Sequence, residues 1–179
     1  MSIYSGDCND ILVTRVFPRI EYRDYKRGLC VLDPYGLTLD WATVQRAGEM
    51  RSIEVFINFP IMDINRNALW IDATGVSAAN TARMTAFWGD DSWQRVAYHE
   101  QGNLFSTSDA IKKRGNKAIV AAYRKRLHDL ARFRHVPEPV PMRNSKGAVV
   151  YYLFFASNNE VGARIAKALF EKHRNTGLR

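Results

Sequence analysis

Asp33-Pro34-Tyr35-Gly36 sets a carboxylate, a rigid carbonyl, an aromatic ring and a flexible joint directly after the apolar run Leu29 to Leu32. The carboxylate and the Pro34 carbonyl are two acceptors. Together they can take both hydrogens of an exocyclic amino group and aim its nitrogen lone pair at an electrophile, while Tyr35 stacks on the ring. Methyl transfer to an amino nitrogen is the chemistry that wants this arrangement. The same composition, with Asp first, Pro second and Gly fourth, is also close to ideal for a type I turn, so both readings stand. Position favours chemistry: a short apolar run closed by a turn signal reads as a buried strand, and ligands sit at the carboxyl ends of strands in open α/β sheets.

Other residues could assist. Arg66, within Asn65-Arg66-Asn67, is a candidate phosphate contact, and a surface turn is the plain alternative. Lys117, Arg124, Lys125, His128 and Arg132 fall on one face of a helix expected from Asn116 to about Phe133, with Lys112-Lys113-Arg114 before it; the first, second, third and last could neutralise phosphates or merely be solvated. The overall net charge of +8 is unevenly spread, because residues 1–109 carry −4 and residues 110–179 carry +12. Such asymmetry points to a polyanion, most often nucleic acid. The four His and two Cys show no metal-ligand spacing, so no metal is expected. Cys8 and Cys30 read as small buried apolar residues in a reducing compartment. An acid pair for hydrolysis, such as Asp33 with Asp63, lacks paired spacing.

The elements that must position these groups follow from periodicity. Ile3-Tyr4 reads as a strand remnant, followed by a loop, a short helix near Asp10 to Arg15 and a stop at Phe17-Pro18. Strands are expected over Gly28 to Leu32, Ser52 to Phe59 and Ala148 to Ala156. A helix capped by Thr38 or Asp40 runs to Glu49 and makes a parallel βαβ unit with the first two strands. A long connection spans Ile61 to Gly75, a helix runs from Ser77 to Gly89, and a loop spans Asn103 to Ser108. The stripe Ile119, Val120, Tyr123, Leu127 and Leu130 faces the core. Val136 to Met142, with three prolines, suits an edge strand that forms a hairpin with the last strand. Ser157 to Glu160 reads as a capping box for a final helix with Val161, Ile165, Ala168 and Leu169 inward. The longest apolar run, Val149 to Ala156, is far short of the roughly 20 residues of a membrane helix, so a soluble, cytoplasmic protein is expected.

LDPYGL with its following tryptophan helix, then INFP, NRNALW, RMTAFWGDDSW and YYLFFAS, resembles the three-Cys-motif partner proteins, a bacterial family related to class I S-adenosylmethionine-dependent methyltransferases. The resemblance covers the C-terminal portion of such proteins. DPYG is also similar to the DPPY motif of amino methyltransferases acting on adenine in DNA or RNA, and departs from it with Tyr35 at the second proline position and Gly36 next, so the motif does not fix the target base; Gly36 is counted with the substrate-binding residues. The resemblance implies that Asp33 and the Pro34 carbonyl hold the target amino group and that Tyr35 stacks. It also implies that Asp7 accepts from the cofactor adenine with Cys8 or Asn9 beside the ring; from the residues alone, Gly6-Asp7-Cys8-Asn9 is equally a helix-capping loop. The expected fold is α/β: a single domain with a partial class I methyltransferase-like, Rossmann-like sheet flanked by helices, mostly parallel, with a C-terminal antiparallel hairpin. In the family's strand order 3-2-1-4-5-7-6 the chain would supply 4, 5, 7 and 6, without the Gly-rich cofactor turn, since it contains no GxG. The strand carrying Asp33 would then be an open edge wanting a protein partner, a second copy or the missing strands. The implied activity is amino methylation of nucleic acid; the alternative is a catalytically incomplete module that binds nucleic acid or a protein.

Overall fold

The protein, represented by a computed structural model, is described over residues 2–70, 76–99 and 108–176, with backbone alone for residues 99, 108–114, 175 and 176. In chain order it forms α1 (Cys8–Ile11), β1 (Gly28–Leu32), α2 (Trp41–Met50), β2 (Ile53–Phe59), α3 (Ile61–Asn67), α4 (Ala78–Trp88), α5 (Trp93–His99), α6 (Ser108–Asp129), β3 (Val140–Arg143), β4 (Val149–Ala156) and α7 (Glu160–Thr176). The sheet order is β1-β2-β4-β3. β1 and β2 are parallel, while β4 runs against both β2 and β3. The chain is therefore α/β with a mixed sheet rather than a mostly parallel one, because β4 returns from a hairpin and inserts between β2 and β3.

Alternation along β2 sorts the two faces. Ile53, Val55, Ile57 and Phe59 are buried and pack in one cluster with Val44 and Ala47 of α2, Phe87 of α4, Tyr123 of α6 and Phe154 of β4. Each Val, Ile and Phe among them contributes roughly 1.5–3 kcal/mol on burial. The second face is thinner: Phe56 meets Phe170 of α7 edge to face at 6.1 Å, joined by Val140, Phe155, Ala163 and Ala166. Its cover stops short of β1, where Leu29 and Val31 are 60% and 66% exposed.

Several expectations change. Ile3 and Tyr4 lie outside any strand. The helical segment that follows α1 ends at Val16 with Phe17 as its cap, where Phe17-Pro18 is expected to stop it, and Pro18 enters the tight turn Phe17–Arg19, where its missing N–H is not needed. Ile61–Asn67 is helical, with Ile61 and Ile64 buried one turn apart. The loop expected over 103–108 lies, up to residue 107, outside the described residues, and Ser108 already opens α6. α6 ends at Asp129, so Leu130 is exposed and Ala131 and Phe133 are buried in its place. The side chains of Lys112, Lys113 and Arg114 lie outside the description. In α7 the inward residues are Ala163, Ala166 and Phe170, whereas Val161, Ile165, Ala168 and Leu169 are exposed. The helix lies low over the sheet, and a Cβ at Gly162 would come within 2.6 Å of Glu54 Oε1, so small residues take the contact. No reciprocal capping box forms: Asn159 Oδ1 accepts from Val161 N at 3.0 Å, and the buried Ser157 hydroxyl donates to Glu54 at 2.7 Å. Ser77 and Gly89 cap α4 as expected, and the β3–β4 hairpin forms with Pro141 on its outer strand. Among the described residues no helix is long and apolar enough to cross a membrane.

Candidate functional site

Parallel pairing of Leu32 with Ile57 sets Asp33 and Asn58 side by side at the carboxyl end of the strand pair. Asn58 Nδ2 donates to Asp33 Oδ1 at 2.6 Å. That bond fixes the amide, since a flipped group would turn its oxygen towards the carboxylate. Asn58 Oδ1 is left buried with no hydrogen-bond partner among the described residues. Orphaning a buried acceptor costs about 1–3 kcal/mol, which a donor brought by a ligand would recover.

Residues 33–36 bend without a hydrogen-bonded turn, so the ideal type I composition does not produce one. Gly36 sits at φ +68° and a Cβ there would lie 2.7 Å from Asp63 Oδ2, so both conformation and space require glycine. Gly36 thus shapes the bend against α3. Asp63 Oδ1 accepts from Asn67 Nδ2 at 2.8 Å, while buried Oδ2 accepts no hydrogen bond among the described residues and lies 3.9 Å from Arg83 Nη2. Pro34 is half-buried, and Tyr35 is 95% exposed, its ring open for stacking. Arg66 is exposed on the last turn of α3, at this same end, where its carbonyl accepts from Trp70 Nε1 at 2.6 Å.

The stretch Asp7-Cys8-Asn9 comes to the same end of the sheet. Asn9 Nδ2 donates to Thr38 O at 3.0 Å, and its Oδ1 accepts from Asp40 N at 2.9 Å and Thr43 Oγ1 at 3.1 Å. Asn9 thereby caps α2, a role expected of Thr38 or Asp40; Asp40 occupies the cap position but its carboxylate makes no cap bond. Asp7 Oδ1 accepts from Asn9 N at 2.7 Å and caps α1. For an adenine ring this leaves one Asp7 oxygen, the exposed Cys8 and a single Asn9 amide hydrogen, since Asn9 Oδ1 and its other hydrogen are engaged by protein. The three residues do not fit a complete cofactor-adenine contact, and no chemical step is derived through that group. Cys8 is exposed and Cys30 half-buried, so neither is the buried apolar residue expected. Burial first, and the neighbouring Cys8 second, push the Cys30 thiol up to about 11.

The basic helical face is partly neutralised. Arg124 pairs with Glu138 and donates to Val136 O at 2.8 Å, and Lys125 pairs with Asp129. Lys117 is exposed on α6, whereas Arg132 lies beyond the helix end at φ +65° and leaves the face. Asn58 and Arg83 are the site residues that sequence reasoning missed: Asn58 reads as an ordinary strand position, and only the register places it beside Asp33. Among the described residues no group of three or more His, Cys, Asp or Glu is gathered as a metal site. Compared with family models, curated proteins and solved structures, the chain matches none of them.

Proposed function

We propose that the chain is the acceptor side of a methyltransferase-like domain that acts, with S-adenosylmethionine, on an amino group of nucleic acid. The observation that carries the reading is the buried, unpartnered Asn58 Oδ1 beside the Asp33 carboxylate: a cluster of acceptors calls for a ligand bearing two hydrogens on one nitrogen. The sheet supports it, because β1-β2-β4-β3 with β4 reversed follows the order 4-5-7-6 of the class I fold, and the motif resemblance runs through the same strands. The chain's own residues hold the acceptor: Asp33 and the Pro34 carbonyl take the amino hydrogens, Tyr35 covers the ring, and Gly36 against Asp63 sets the bend.

Transfer of labelled methyl groups to mixed DNA and RNA tests this. Asp33→Ala is expected to lose at least ~100-fold in transfer while keeping the wild-type circular dichroism; undiminished transfer overturns the role. A second reading, a binding module without catalysis, draws on Asn9 and Asp7, whose Oδ1 atoms are committed to helix caps. Calorimetric titration with S-adenosylmethionine separates the two. Micromolar binding removes the second reading, and silence together with absent wild-type transfer selects it.

A further inference from the structure

The end of the sheet opposite Asp33 carries arginines that neither helix nor sheet uses. Two concavities adjoin there. One, of ≈ 680 Å³, lies between α6, the segment 134–138 and α7, and includes Arg134, Arg164 and Lys167 in its lining. The other, of ≈ 480 Å³, is lined by Tyr22, Arg27, Arg51 and Arg134 among others. Arg134 and Glu160 belong to both, so the two form one continuous track.

The charges along the track are unequal in their commitments. The carboxylates of Glu138 and Asp129 are already paired with Arg124 and Lys125, and Glu54 accepts from Ser157. Among the described residues Glu54 and Glu160 are the lining carboxylates without an ion pair, against Arg27, Arg51, Arg134, Arg164 and Lys167. Among the described residues the side chains of Arg51, Arg134 and Arg164 make no ion pair or hydrogen bond, and all three are exposed. The Arg27 guanidinium lies over the Tyr22 ring, 4.0 Å from its centroid, leaving an aromatic–guanidinium pair in the second concavity.

We propose that this track binds single-stranded nucleic acid, with phosphates at Arg51, Arg134 and Arg164 and a base against the Tyr22–Arg27 pair. The guanidinium fork matches a phosphate bidentately, which suits a row of arginines more than of lysines to a phosphodiester chain. Duplex readers push a convex helix or ribbon into a groove, whereas here the cations line hollows that admit a strand with its bases splayed. The proposal rests on neither the methyl-transfer reading nor its residues, which lie at the other end of strands about 20 Å long.

Fluorescence anisotropy of the full chain with a labelled oligonucleotide of about 20 nucleotides, followed from about 50 to 200 mM salt, tests it. Arg134→Ala and Arg164→Ala should each weaken binding several-fold and lower the slope of log Kd against log salt by about 0.7. Lys146→Ala, in the β3–β4 turn at the opposite end, should leave the slope unchanged, and circular dichroism checks that the variants fold. An unchanged slope in the arginine variants overturns the proposal. So does equal affinity for the matching duplex, which would mean a groove binder, or displacement by polyglutamate as effective as by oligonucleotide, which would mean an acidic peptide site.

Discussion

Arg126 lies between the indole rings of Trp41 and Trp88, 5.0 and 5.2 Å from their centroids, and its head donates to Asp90 at 2.9 Å and Ser92 at 3.1 Å. This one side chain ties the cap of α4 to the last turn of α6. Partial burial alone would raise the Asp90 carboxyl, but hydrogen bonds from Ser92 and the Arg126 guanidinium outweigh it and hold the group below its ordinary range. A depressed carboxylate stabilises the fold fully above its unfolded value of about 4 and loses that contribution as pH falls through the folded value. Asp90→Asn should therefore unfold more readily than wild type at pH 6 in urea, with the difference shrinking towards pH 3. A difference that stays constant across that range would show that the carboxylate charge contributes nothing.

Helix α2 is held at its last turn. A Cβ at Gly48 would lie 1.9 Å from Ala131 O and 3.1 Å from Phe133 Cε2, and Gly48 O accepts from Asn158 Nδ2 at 3.1 Å. The exits of α6 and β4 therefore converge on one glycine. In an exposed helix Gly→Ala would add about 1 kcal/mol of stability; here the overlap with backbone reverses the sign. Gly48→Ala should cost about 2–3 kcal/mol and lower Tm by roughly 5–10 °C. A Tm equal to or above wild type would mean that the two exits can separate freely.

At this scale the sequence was legible where one face of an element is uniformly buried. α2, β2, α4 and the hairpin form where the pattern places them, whereas β1, expected to be buried, exposes Leu29 and Val31 because the cover of its face stops short. α7 does not follow its periodicity, because Val161, Ile165 and Leu169 form a convincing i, i+4 stripe that lies away from the buried arc, while two alanines and Phe170 make the contact. Spacing shows that a helix is amphipathic but not how closely it lies on its sheet. α3 was hidden by Pro60 before it and by Asn-Arg-Asn within it, both of which read as loop. Asp33 could be placed at a strand tip from its flanks, whereas its partner Asn58 stands 25 residues away and is joined to it only by parallel register. Asn9 shows the reverse: a polar residue in a suggestive motif, consumed by the N-terminus of a helix that begins some thirty residues later.

The whole molecule has two unlike edges and two unlike ends. The β3 edge is blunted by Pro141 and by the irregularity between Met142 and Arg143, devices that discourage further pairing. β1 has neither. Gly28 N donates to Ser52 O at 2.9 Å, and amide direction alternates along a strand. The amides of Cys30 and Leu32 therefore point into the sheet, and those of Leu29 and Val31 point out. The same two residues expose their side chains, so polar backbone and apolar side chain are bared together. In deuterium exchange followed by NMR, the Leu29 and Val31 amides should exchange much faster than those of Cys30 and Leu32; equal protection would mean that the edge is already covered. Two adjacent amide signals thus become a clock for the edge: whatever is added to the solution, any slowing at Leu29 and Val31 with Cys30 unchanged registers a new strand arriving, before its identity is known.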